Sequence, residues 1–264
     1  MMIIGDKKYD ALLENIREHG SVAVAFSGGV DSTFLLHATS IALPGKAVAI
    51  TVKSPYVPEW EMQEAREIAE TLDVKHYIIE TDIPENIKNN PDNRCYLCKK
   101  TIFKLIRNEA TKLGYKEIIE GTNADDLNDH RPGIKALREL SIKSPLLETG
   151  FSKMNIREYS ERLELHTFDK PAYACLLTRL PYNVEVLPEH LERIEKAEFY
   201  LFQQGFQAAR VRMHDDLARI EVDKAIRKEL IKPGVSDKII KYFKQLGFRF
   251  ITIDLEGYRM GSFN

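Results

Sequence analysis

The chain has 264 residues, 44% of them hydrophobic and 30% charged, with a formal net charge of −2. That length can bury a large core in one large domain or two unequal ones, and the near balance of charge argues against a molecule-wide nucleic-acid surface, leaving room only for a local basic patch. No apolar run spans a bilayer, the opening "MMIIGDKKYD" is too short and too soon charged for a signal peptide, and three cysteines are an odd number for a disulfide framework. A cytosolic protein without a membrane partner is expected, its thiols serving metal, catalysis or packing.

From Asp6 to Glu18 apolar residues recur at helical spacing (Leu12, Leu13, Ile16), and "SVAVAF" reads as a buried strand. A helix over 32–42 leads to the strand "AVAITV" near residue 50. A helix over 59–72 leads to "HYIIE", ending at Glu80, and one over 96–113 to "EIIEG", ending at Gly121. Strands alternating with helices predict right-handed crossovers and an α/β architecture, a doubly wound parallel sheet covered on both faces. The character changes near residue 185. A helix over 188–204 precedes "AARVRM", the polar turn "HDD" and "LARIEV", which together predict a hairpin. Helical patterns near 223–231 and 235–246, interrupted by "KPG", and a last strand "FRFITIDL" complete a small α+β domain over 186–264, after a first domain over 1–185. No internal repeat or low-complexity tract stands out.

The stretch "AFSGGVDSTF", residues 25–34, joins the first strand's carboxyl end to a helix's amino end, where backbone N–H groups and the helix dipole favour an anion. Gly28 and Gly29 let the backbone approach phosphate oxygens, and Ser27 and Ser32 add hydroxyls. There is no lysine, so this is not a Walker A loop. The plain alternative is a Gly-rich turn with Asp31 or Ser32 capping the helix. The hexapeptide "SGGVDS" resembles the SGGxDS signature of pyrophosphate-loop enzymes, which cleave ATP between its α and β phosphates. That resemblance implies Mg²⁺ held partly by Asp31, a hard cation shared between one carboxylate and phosphates. A second segment, "EGTNADD" (120–126), sits at another strand's carboxyl end, where open α/β sheets bind ligands. The same resemblance assigns Gly121 to the nucleotide and makes Asp125 a further candidate. Ser54, just past the second strand, is a candidate for the adenosine.

"RCYLCKK" sets Cys95 and Cys98 where their sulfurs can converge on one metal, and Cys175 in "PAYACLLTRLPY" is the remaining thiol. Structural zinc would want a fourth ligand, and neither His166 nor His214 stands at a zinc spacing. Three thiolates suit a [4Fe–4S] cluster with one iron open to an outside ligand. A redox dithiol and three inert thiols stay open beside it. For Lys99 and Arg179, beside the cysteines in sequence, the resemblance to ATP-cleaving pyrophosphate-loop enzymes implies a role in steadying an anionic adenylate.

The segments "AFSGGVDST", "NDHRPGIKA", "RLPY", "VRMHDDLARIE" and "LGFRFITIDLEGYRMG" resemble the LarE family, ATP-dependent sulfur transferases that prepare the nickel-pincer nucleotide of lactate racemase. The last four lie outside the generic nucleotide-binding core. Cys95, Cys98 and Cys175 place the chain beside the family's three-cysteine, [4Fe–4S] type rather than the type that sacrifices a cysteine. The resemblance implies adenylation of the carboxylates of pyridinium-3,5-biscarboxylic acid mononucleotide, departure of pyrophosphate, and sulfide from an external source as the nucleophile. It also implies a homo-oligomer assembled partly through the smaller domain. Strand periodicity puts Arg210 and Arg212 on one face, able to grip a phosphate or to pair with acids such as Glu221. The family's phosphate-binding arginines favour the grip, and Glu198 matches a family substrate-site glutamate. The rivals are a tRNA thiolase, which would share the activation chemistry but ordinarily carries basic RNA-binding surface, and a nucleotide sensor with structural zinc.

Overall fold

Asp6 opens the first helix by accepting hydrogen bonds from the backbone N–H of Lys8 (3.0 Å) and Tyr9 (3.3 Å). The helix it caps, α1 (Lys7–Glu18), turns Tyr9, Leu12, Leu13 and Ile16 inward. The computed structural model describes residues 5–127, 132–171 and 174–258. After α1 come β1 (Val22–Ala25), α2 (Val30–Ala42), β2 (Ala47–Lys53), α3 (Glu59–Thr71), β3 (Lys75–Glu80), α4 (Arg94–Lys112) and β4 (Glu117–Ile119). The four strands are parallel, in the order β3–β2–β1–β4, and Lys143 forms a single parallel bridge to Ile119.

The period of two along each strand sends alternate residues to opposite faces. Val22, Val24, Ala49 and Ile119 pack with Leu12, Phe34, Ala65 and Ile68 of α1, α2 and α3. Ala23, Val48, Ile50, Val52 and Ile118 pack with Phe103, Ile106 and Ala110 of α4. Helices therefore cover both faces, as expected of strands that are apolar on both sides.

The stretch between residues 122 and 185, to which periodicity assigns no element, holds α5 (Pro132–Glu139), α6 (Pro145–Glu148) and α7 (Lys153–Arg162). Each is too short to repeat an apolar stripe more than once or twice. A capping box opens α7. The Ser152 hydroxyl accepts from Asn155 N, and the Asn155 side chain accepts from Ser152 N.

The later elements are α8 (Pro188–Gln203), β5 (Arg210–His214), β6 (Leu217–Glu221), α9 (Arg227–Leu230), α10 (Pro233–Gln245) and β7 (Phe250–Ile253). β5 and β6 form the expected antiparallel hairpin, in register from Arg210 opposite Glu221 to His214 opposite Leu217, and β7 lies parallel to β6. Asp215, with φ +54°, makes the turn. The described residues divide into two compact units, one of 5–86 with 93–171 and the other of 87–92 with 174–258. Asn90 ties the short segment into the second unit by donating to the carbonyls of Leu177, Leu180 and Pro181. No described helix is long and apolar enough to cross a membrane.

Candidate functional site

In the first unit, Gly28 follows β1 with φ +70°, and a Cβ there would stand 3.1 Å from Ala65 Cβ and 3.3 Å from Ala65 Cα. Only glycine allows both the left-handed backbone and the close approach to α3. Gly29 is the N-cap of α2 (φ −79°, ψ 170°) and supplies no side-chain cap, so neither Asp31 nor Ser32 closes the helix end. Ser32 instead ties the loop together. Its Oγ accepts from Ser27 N at 3.3 Å, lies 3.1 Å from Ser27 Oγ and donates to Gly29 O at 3.2 Å. The result is a small, hydroxyl-lined turn at the amino end of a 13-residue helix.

Strand order places this turn at the sheet's reversal. The chain runs from β1 to β2 on one side and later returns to β4 on the other, the crevice in which open α/β sheets bind ligands. Gly121, just past β4, lies so close that a Cβ would meet Ser32 N at 3.1 Å and Asp31 C at 3.2 Å. Its glycine is thus required by packing against the first turn of α2. Asn123 Nδ2 reaches Asp31 Oδ1 at 3.5 Å, and Asp125 Oδ2 accepts from Lys153 N at 2.8 Å.

Two lysines that no local motif flags arrive at this lysine-free loop. Lys153 Nζ is 2.5 Å from Asp31 Oδ2. Lys170 Nζ donates to Gly28 O at 3.1 Å, pairs with Glu64 and lies 5.6 Å from the centre of the Trp60 ring. Arg157 on α7 fixes the segment that carries Lys170 by donating to the carbonyls of Phe168 (2.6 Å) and Lys170 (2.7 Å). These lysines stand 122 and 142 residues from their loop partners, beyond any spacing rule.

Ser54, in the turn after β2, is buried, and its hydroxyl has no hydrogen-bond partner among the described residues. A buried hydroxyl of that kind is costly unless a ligand or water satisfies it. Nearby in sequence, Thr51 Oγ1 donates to Phe26 O at 2.7 Å and lies 2.7 Å from His76 Nε2. Burial, helped by the charge of Arg66, lowers the pKa of His76 to about 4, so its imidazole is neutral at pH 7.

Cys95 and Cys98 sit on the first turn and a half of α4, three residues apart and therefore on one face of the helix. Cys95 is exposed, and Cys98 lies 3.3 Å from the Tyr56 hydroxyl. Burial raises the pKa of the Cys98 thiol, outweighing the Tyr56 hydrogen bond that lowers it. Beside them the methylenes of Lys99 cross Gly133, where a Cβ would stand 2.6 Å from Lys99 Cδ. Cys175 belongs to the second unit, at the start of the short 3₁₀ turn Leu176–Arg179. Among the described residues no three of His, Cys, Asp and Glu gather as a metal-ligand set.

The second unit holds the other candidates in a buried polar layer. Arg179 forms a two-pronged pair with Glu198, Nε to Oε1 at 2.8 Å and Nη2 to Oε2 at 3.0 Å, and Glu198 Oε1 also accepts from Val211 N at 2.8 Å. Burial opposes the Arg179 charge, but the Glu198 carboxylate outweighs it and raises the guanidinium pKa. Arg212 is likewise two-pronged on Glu221, at 3.1 and 2.9 Å, and donates to Thr178 O. Arg210, on the same face of β5, is buried, donates to Ala209 O and lies 5.2 Å from the centre of the Tyr258 ring. Both arginines are thus buried, and Glu221, the partner of Arg212, is fully buried rather than on an exposed face. Residues 128–131 of "NDHRPGIKA", 172–173 of "PAYACLLTRLPY" and 259–261 of the last family segment lie outside the described residues.

Comparison with known proteins adds to this geometry. The asparagine synthase family profile matches residues 7–103, the part that carries the loop and the first three strands. An uncharacterized protein of Synechocystis sp. is 38% identical over 261 residues, 97% of this chain and 97% of its own. The pyridinium-3,5-bisthiocarboxylic acid mononucleotide synthase of Lactiplantibacillus plantarum is 32% identical over 260 residues, 97% of this chain and 94% of its own. A tRNA-specific 2-thiouridylase of Clostridium botulinum is 26% identical over 184 residues, 57% of this chain and 52% of its own. A likeness that runs through both units to a LarE synthase, joined to a pyrophosphate loop at the sheet's reversal, shows that the chain belongs to the LarE family of pyrophosphate-loop sulfur transferases.

Proposed function

We propose that the chain uses ATP to convert the carboxylates of pyridinium-3,5-biscarboxylic acid mononucleotide into thiocarboxylates, in the making of the nickel-pincer nucleotide of lactate racemase. The observation that carries this reading is the near full-length likeness to the Lactiplantibacillus plantarum synthase, since the second unit lies outside the generic ATP-binding core. A carboxylate is a poor electrophile, so each round begins with activation. A substrate carboxylate oxygen bonds to the α-phosphorus of ATP as the bond to the bridging oxygen breaks, and diphosphate leaves. The acyl-adenylate is then attacked at its acyl carbon by sulfide, the carbon–oxygen bond to AMP breaks, and the thiocarboxylate is released.

The turn Ser27–Ser32 receives the departing diphosphate on backbone N–H groups and the Ser27 and Ser32 hydroxyls. Gly28 and Gly121 keep that turn pressed between α3 and the end of β4. Asp31 suits Mg²⁺, which takes one or two carboxylates together with phosphates, and Asp125 supports the same corner through Lys153 N. The unsatisfied Ser54 hydroxyl suits a polar atom of the adenosine. Arg210 and Arg212 serve the substrate's phosphate, Arg179 and Glu198 brace β5 through Val211 N, and Lys99 offers a cation to the adenylate.

Cys95, Cys98 and Cys175 suit an iron–sulfur cluster by the softness of their thiolates and by family resemblance. When bound, such a [4Fe–4S] cluster would supply the sulfur from an outside sulfide source. We place the protein in the cytoplasm as a homo-oligomer on the same resemblance.

The test is pyrophosphate release from ATP, followed with and without the pyridinium substrate, together with mass detection of the thiocarboxylate after anaerobic iron and sulfide reconstitution. Substrate-dependent pyrophosphate with a product of increased sulfur content is expected. ATP cleavage that depends on tRNA, the nucleic acid named for the Clostridium botulinum relative, would refute the assignment.

A further inference from the structure

The hexapeptide "SGGVDS" brings a carboxylate and no cation to a leaving group that carries several negative charges. We propose that Lys153 is the missing cation and that it acts by exchange: its ammonium rests on Asp31, then moves to the departing diphosphate as a divalent metal takes the carboxylate. The inference rests on the reading of the turn as an ATP site and adds to it an order of events.

Three observations carry it. First, Lys153 Nζ contacts Asp31 Oδ2 at 2.5 Å, so an incoming metal ion and the ammonium compete for one oxygen. Second, the pair is neither locked nor fully solvated, with side-chain exposures of 35% for Lys153 and 25% for Asp31. Third, the backbone of Lys153 is pinned independently of its side chain, which rests on Asp31: its N–H donates to Asp125 Oδ2, and the Ser152–Asn155 capping box holds the start of α7. The four-carbon stem can therefore swing the ammonium from Asp31 toward the turn without moving the helix. Lys170 differs. Its side chain is 10% exposed and fixed by Glu64, Gly28 O and Trp60, so it acts as a standing charge.

The magnitudes favour exchange. A partly exposed carboxylate–ammonium pair is worth up to about fivefold in an equilibrium. Charge-assisted hydrogen bonds to phosphate oxygens are worth on the order of tenfold to a hundredfold. Lys153 thus gains by leaving Asp31 once phosphates are present, and by occupying Asp31 it disfavours metal entry before them. Metal and nucleotide should enter together.

The experiment compares the full chain with Lys153→Met and Lys153→Arg. Mn²⁺ alone is titrated by water-proton relaxation, and inorganic diphosphate and MgATP by calorimetry. Lys153→Met should bind Mn²⁺ alone up to about fivefold more tightly and diphosphate and MgATP about tenfold more weakly, while Lys153→Arg restores diphosphate binding. The gain in Mn²⁺ affinity cannot come from misfolding, and Lys153→Gln carries the same expectation should the Met variant be unstable. Unchanged affinity of Lys153→Met for either Mn²⁺ or diphosphate overturns the exchange. An unaltered protein that binds neither MgATP nor diphosphate overturns the ATP reading itself, an outcome visible before any variant is made.

Discussion

Gly28 and Gly29 are adjacent in the chain and alike in sequence, yet the structure predicts unequal costs for replacing them with alanine. At Gly28 the backbone has φ +70°, and a new Cβ would stand 3.1 Å from Ala65 Cβ and 3.3 Å from Ala65 Cα. A non-glycine residue in the left-handed region costs about 1–2 kcal/mol. Pressing α3 back by a few tenths of an ångström adds about 1–3 kcal/mol, as other overpacked sites do. The stiffer unfolded chain returns roughly 0.4–1 kcal/mol, so Gly28→Ala should lose about 2–4 kcal/mol. At Gly29, φ is −79°, and the nearest atom to a Cβ is Ser27 Oγ at 3.5 Å, an ordinary contact. Alanine is a poorer N-cap than glycine by about 0.5–1 kcal/mol, nearly offset by the unfolded state. Gly29→Ala should therefore be close to neutral in stability while placing a methyl group on the phosphate side of the turn. Urea unfolding followed by the single tryptophan, Trp60, measures the first quantity and calorimetric MgATP binding the second. The expected pattern is a destabilised Gly28→Ala and a stable but binding-impaired Gly29→Ala. Equal stabilities for the two variants would refute the packing argument, and full ATP affinity in Gly29→Ala would refute the phosphate-binding role of the turn.

Two further predictions concern buried charge. Arg179→Met leaves the Glu198 carboxylate without its two-pronged partner and should cost about 3–5 kcal/mol, whereas Arg179→Met with Glu198→Gln should cost less than the single change. Urea midpoints that add independently would show that the pair is uncoupled. His76 titrates near 4 when folded against about 6.5 when unfolded, so between those values the unfolded chain binds the extra proton. Its contribution is complete above pH 6.5 and is lost as pH falls toward 4, by at most about 3 kcal/mol and by less where solvent screens it. The stability difference between the unaltered protein and His76→Gln should vary across that window and be flat above it; a flat difference throughout would show that the imidazole is not held neutral.

Much of the fold can be read along the chain because it depends on local pattern. The apolar spacing from Asp6 to Glu18 makes α1, and the strand at 22–25 and the helix that follows the loop are short-range consequences of period and turn chemistry. The hairpin of β5 and β6 is legible for the same reason, with "HDD" supplying Asp215 at positive φ. The helices α5 to α7 are not, because each presents too few turns to show a stripe, and α7 announces itself only through Ser152 and an Asn at the third helical position instead of the usual Glu or Gln.

Gly28 and Gly121 show where the site divides. Their glycine identity marks a special position in the sequence, but whether that means phosphate approach or packing depends on Ala65, Ser32 and Asp31, which only the folded chain brings near. The arginines of β5 share a face by the alternation of a strand, and burial of that face against Glu221 and Thr178 is a tertiary outcome. By itself the sequence determined the alternating layers, the lysine-free turn and the chemistry of its side chains, since these follow from spacing and residue type. Tertiary structure alone decided that Lys153 and Lys170 meet that turn, because electrostatic attraction acts through space and is indifferent to the 122 and 142 residues of chain between the partners.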